Sequence, residues 1–198
     1  MQWKYQIGKM AGVVLIGIGA GFFCMLFRQE QLLLQTGFLD IYTLSPIKYQ
    51  EIDSVTLWGY VLKQRLLYSV ILSILSTTYL GIVACYLYMS ATGVALGILL
   101  AGGILRYGLK GFLLIIVSLV PHQFILFPGF LMLTYVACSL CNFLYFEETL
   151  SGVKRTQKRR ILIKHGIMLF ICNIVVIIGC YVESYVNPQF LKWVLKFF

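Results

Sequence analysis

The sequence predicts an all-α, polytopic membrane protein with about five transmembrane helices, and three observations carry that reading. Of 198 residues, 60% are hydrophobic and only 12% charged, with a mean hydropathy of +0.89, a composition outside the range of soluble domains. The charged residues gather between apolar runs, at Lys4 and Lys9, Arg28 to Arg65, Arg106 and Lys110, Glu147 to Lys164, and from Glu183 onward. The longest run, Gly111 to Phe146, holds 36 residues without an Asp, Glu, Lys or Arg. A single membrane domain, 1–198, accommodates all of these runs.

Each run is read as a span where it can cross about 30 Å of hydrocarbon. The first, 10–27, follows two lysines but has no small-residue cleavage site, so it reads as a retained helix and not a signal peptide. An outer loop, 28–65, comes next, where Asp53-Ser54 reads as a helix cap ahead of Trp58 and Tyr60 at headgroup depth. Spans 66–89 and 91–105 follow. In the latter, Gly93-x-x-x-Gly97 lets helix backbones approach closely, most simply within the bundle, and otherwise as the face of a homo-oligomer. Gly12, Gly17, Gly19 and Gly21 give the first span the same character.

The fourth span, 111–146, would be about 54 Å long as a straight helix, too long for one perpendicular crossing. Pro121 and Pro128 lack an N–H and crowd the preceding turn, so the sequence predicts a helix broken at Pro121/Pro128. His122 stands at that break with an imidazole suited to the freed carbonyls, and Gly129 completes the second interruption. A cytoplasmic basic loop, 147–160, leads into the last span, 161–181. Segment 188–198, which alternates lysines with Phe, Leu and Trp, reads as an amphipathic helix on the outer leaflet.

Orientation follows from Lys154, Arg155, Lys158, Arg159, Arg160 and Lys164, the densest basic cluster, which belongs on the cytoplasmic face and can meet anionic lipids there. With Lys4 and Lys9 also inside, the broken segment crosses once. The N-terminus is then cytoplasmic and the C-terminus outside a multi-pass cell-membrane protein.

Chemistry is sparse. The net charge of +9 comes from residues flanking the spans, which argues against a nucleic-acid partner. The six cysteines all fall in apolar runs, and the Cys138-x-x-Cys141 pair has no companion, so packing outranks metal or redox roles. No HExxH, GxSxG, P-loop or dinucleotide fingerprint occurs, and the only histidines are His122 and His165. The sequence therefore predicts no catalytic residues, no metal site, no cofactor and no enzyme.

Two stretches nevertheless form a pattern. Leu119 to Gly129, with Pro121-His122 and Pro128-Gly129, resembles the Pro-His…Pro-Ala signature of the stage II sporulation protein M family, and Val182 to Pro188, with Glu183 and Pro188, is similar to that family's stretch after its last span. Gln123 and Leu126 stand where members often carry Gly and an acidic residue. The resemblance implies a non-enzymatic scaffold in the mother-cell or septal membrane of a spore-forming bacterium. It would anchor a peptidoglycan hydrolase complex required for engulfment, with a membrane-anchored amidase/endopeptidase and a lytic transglycosylase as partners on the outer face. The alternative of another class is a small membrane permease or transporter subunit, since interrupted helices also build midplane transport sites. Against that stand the lack of a mid-span carboxylate and of an internal repeat.

Overall fold

The computed structural model describes residues 2–28, 53–145 and 155–195. They form α1 (Gln2–Phe27), α2 (Ser54–Leu75), α3 (Gly81–Tyr145), α4 (Arg155–Tyr185) and α5 (Asn187–Leu195), an all-α fold. Most of the 28–65 loop, residues 146–154 with Lys154, and residues 196–198 lie outside the described part. Among the described residues three stretches are long and apolar enough to cross a membrane: Gln6–Phe27, Gly81–Tyr145 and Lys158–Trp193.

The structure corrects the expected break. Pro121 and Pro128 lie inside a continuous helix, and the only non-helical backbone in α3 is at Gly108, φ 60° and ψ −137°. That conformation belongs to glycine, because a Cβ would clash with its own backbone. It folds α3 into a hairpin of two arms, 81–107 and 109–145. Just below the turn a Cβ on Gly111 would run into the Gly103 carbonyl, so the arms meet backbone to backbone. Further down, the Tyr88 and Phe130 rings lie 5.2 Å apart. The prolines each remove one helical bond, but α4 packs against this stretch: a Cβ on Gly129 would approach Val175 to 3.1 Å, and one on Gly179 would approach Leu126 to 2.6 Å. Gly129 is thus a packing site, with Pro128 exposed beside it. Gly108→Ala, with open space around its Cβ, is expected to cost about 1–3 kcal/mol from backbone strain alone, to be read as a lower thermal midpoint in detergent.

A second correction concerns span 66–89, which is interrupted at 76–80. The hydroxyls of Ser76, Thr77 and Thr78 donate to the carbonyls of Ser73, Ile74 and Leu75 at 2.6, 2.7 and 2.7 Å. Those carbonyls are the ones a helix end leaves without partners. Tyr145 Oη donates to the Thr77 carbonyl at 2.8 Å, and Gly81 opens α3 where a Cβ would meet the Leu75 carbonyl at 2.6 Å. At its other end α2 starts on Asp53, whose carboxylate accepts from Val55 N at 3.0 Å and from the Thr56 hydroxyl.

Packing fixes the helix directions. α1 runs parallel to the first arm of α3, with Gly93 facing the Val14 carbonyl and Gly97 that of Ile18. α4 runs antiparallel to the second arm. α2 runs antiparallel to α4, bridged at mid-height where Ser69 Oγ donates to Asn173 Oδ1 at 2.8 Å and Asn173 Nδ2 to Ser73 Oγ at 3.2 Å. The bundle therefore has two ends. The starts of α1 and α4, the 76–80 turn and Tyr145 gather at one, the near end; Phe27, Ser54, the Gly108 turn and α5 gather at the far end. α5 lies against the hairpin, its Leu191 packed on the buried Leu114 with Tyr107 and Val117.

Candidate functional site

The far end contains the one long-range ion pair among the described residues. Arg65 Nη2 donates to Glu183 Oε1 at 3.3 Å, with side-chain exposures of 30% and 18%. Helix geometry brings them together: Arg65 lies four residues before Ser69 on α2, and Glu183 ten after Asn173 on the antiparallel α4. His122, only 3% exposed, stands beside Glu183 and Asn187 and within the field of Arg65. The chain turns at Val186, and α5 opens with Asn187-Pro188. Pro188 there occupies the first helical turn, where a missing N–H costs nothing.

The two sequence stretches thus converge. Pro121-His122 on α3 faces the α4–α5 corner formed by Glu183 to Pro188, while Gly129 lies deeper against α4 and Pro128 beside it is exposed. Four buried polar atoms in this region have no hydrogen-bond partner among the described residues: Trp58 Nε1, His122 Nδ1, Glu183 Oε2 and Asn187 Oδ1. Trp58 is two helical turns before Arg65 on the same side of α2. Beside the ion pair opens a cavity of about 160 Å³, lined by Arg65, Tyr88, Thr92, Gln123 and apolar side chains that include Val14 of α1.

The near end carries a second polar group. His165 Nδ1 lies 3.0 Å from the Ile161 carbonyl, which can only accept, so Nδ1 donates there, and Nε2 is hydrogen-bonded to Ser139 Oγ at 3.2 Å. The Phe143 ring stacks on the imidazole with centroids 6.4 Å apart. Of the basic cluster, Lys158 is half-buried, and Arg159, Arg160 and Lys164 are exposed on the first turns of α4; Arg155 opens that helix. Gly93 and Gly97 are buried against α1. Cys138 and Cys141 are buried and free, and no three His, Cys, Asp or Glu side chains among the described residues form a metal-holding group.

Sequence reasoning named His122 and Glu183 but not Arg65, Trp58 or Asn187 as their companions. The available signal for Arg65 was an arginine bounding an apolar run in a chain whose last span ends on a lone carboxylate.

Comparison with known proteins adds one finding. The family model described as stage II sporulation protein M matches residues 10–188, a range that takes in most of α1, all of α2, α3 and α4, both converging stretches, and the first two residues of α5. No curated protein and no solved structure matches the chain.

Proposed function

We propose that this chain, which belongs to the stage II sporulation protein M family of sporulation membrane proteins, is a non-enzymatic membrane anchor for the peptidoglycan-degrading complex of engulfment. Its partners in this reading are a membrane-anchored amidase/endopeptidase and a lytic transglycosylase, held on the outer face of the septal or mother-cell membrane.

The observation that carries the reading is the alternation of the chain between the two ends. α1, α2, the two arms of α3, and α4 each run from one end to the other, which amounts to five crossings if the bundle spans the bilayer. Lipid-facing apolar residues support that frame on α2 and α4, where Leu67, Ile71 and Ile74, and Ile163, Phe170 and Ile178, are exposed. Residue 122 to residue 142 on the second arm is about 30 Å along the helix, one hydrocarbon thickness. The two polar groups, at His122 and at Ser139/His165, lie near those limits.

Orientation follows from charge density. Six basic residues fall within 154–164, next to the near end, whereas those toward the far end are dispersed, so the near end is cytoplasmic. The far end then faces the wall, where the hairpin tip, the start of α2 and α5 are held by the Arg65–Glu183–His122–Asn187 cluster. These outward elements are the surface offered to exported partners.

The test is affinity purification of the tagged chain from its sporulating host, with mass spectrometry. Wall hydrolases should be recovered, and should be lost when residues 29–52 are replaced by a polar linker or the chain is stopped after Tyr185. Recovery of an ATPase with no hydrolase would reject the anchor and favour the transporter-subunit reading.

A further inference from the structure

The cavity beside the ion pair combines features that the anchoring role does not use. Arg65 has five N–H donors and spends one, on a long 3.3 Å contact with Glu183. Tyr88 and Gln123 line the same cavity, and neither side chain makes a hydrogen bond to any described residue. All three groups sit on apolar helices, where polar side chains ordinarily find partners because lipid supplies none. The remaining wall is hydrocarbon, chiefly Leu96, Leu99, Leu119 and Phe127.

We propose that this cavity is a binding site for an anionic phospholipid of the far-end leaflet. The phosphate accepts from Arg65, Gln123 and Tyr88, and the first carbons of one acyl chain enter between Leu99, Leu119 and Phe127. Charge selects the ligand: Arg65 is the one charged side chain lining the cavity, and Tyr88 and Gln123 can each add a donor beside it. Size agrees, since a cavity of about 150 Å³ holds one benzene ring, and 160 Å³ therefore admits a short stretch of a single chain. The site is distinct from the basic cluster at the other end, and it does not depend on which proteins the chain anchors.

The experiment uses the full-length protein, delipidated in detergent, then offered dioleoylphosphatidylglycerol or dioleoylphosphatidylcholine and read by native mass spectrometry. One phosphatidylglycerol per chain should be retained, and phosphatidylcholine about fivefold less. Leu99→Trp, which fills the cavity, and Gln123→Leu, which removes one donor, should each lower phosphatidylglycerol retention by about fivefold or more with the helical circular dichroism spectrum unchanged. If Leu99→Trp does not fold, Gln123→Leu and Tyr88→Phe carry the test. Equal retention of the two lipids, or retention insensitive to the folded variants, would overturn the proposal. Displacement of the lipid by inorganic phosphate alone would overturn it too, by showing an anion site with no place for a chain.

Discussion

Replacing Gly97 by valine is expected to prevent the bundle from assembling, with a loss of about 3 kcal/mol or more and little folded protein in the membrane. A Cβ at Gly97 would run into the Ile18 carbonyl and come within 2.9 Å of Phe22 N, and one at Gly21 would run into the Val94 carbonyl. These obstacles are backbone, so no rotamer change relieves them and the helices must move apart. In lipid that separation is not resisted by a hydrophobic drive, because acyl chains are as apolar as the side chains they replace. Close van der Waals contact is what holds α1 against α3, and it is lost with distance. Gly12→Val is the control: nothing lies within 4 Å of the position its Cβ would take, so it should accumulate and melt like the parent. Membrane levels and thermal midpoints of the two variants in detergent decide the matter. If both behaved alike, the glycine contact would be incidental to the fold.

The same contact shows what the sequence makes legible. Gly93-x-x-x-Gly97 and, in the first span, Gly17 and Gly21 are small residues four apart, and the structure joins these two pairs because a parallel pair needs small residues on both sides, while Gly12 and Gly19 meet nothing within 4 Å. The broken helix was not legible in the same way. Proline is a reliable breaker where water surrounds a helix, but here Pro121 is half-buried, Gly129 beside the exposed Pro128 packs on α4, and the helix continues through both prolines. The turn falls instead at Gly108, between Arg106 and Lys110, where charge had already marked a boundary. Ser76-Thr77-Thr78 misled for a related reason. In a window averaging hydropathy they vanish among isoleucines and leucines, yet three successive hydroxyls can close a helix end by bonding its last carbonyls.

At the site, the motif residues were legible singly and their meeting was not. His122 and Glu183 are 61 positions apart, and only the antiparallel pairing of α4 with the second arm of α3 places them together. Arg65 enters through a third helix. Its partner could be found from sequence only by knowing that α2 and α4 also run antiparallel, which the Ser69–Asn173 bridge fixes in register.

That three-helix junction gives the second large expectation. Arg65→Met should destabilise the protein by about 2–3 kcal/mol, somewhat under the loss expected when one member of a fully buried pair is removed, because both side chains keep some exposure. The reason is what remains. Glu183 Oε2 already has no partner, so losing Arg65 leaves a charged group with neither oxygen bonded and a buried imidazole beside it. Glu183→Leu should cost a similar amount by stranding the guanidinium. The double variant Arg65→Met with Glu183→Leu removes both charges and should recover much of the loss, since apolar pairs of similar volume replace buried ion pairs at little cost. Thermal midpoints of the four proteins give the coupling energy directly. Limited proteolysis adds a local readout. α5 begins four residues after Glu183 and rests on the hairpin through Leu191, so a cluster that positions it should release it to protease in the single variants and hold it again in the double. Protection unchanged in all four would mean that Leu191 and its apolar neighbours position α5 without the cluster, and the outward surface would then owe its shape to hydrocarbon packing alone.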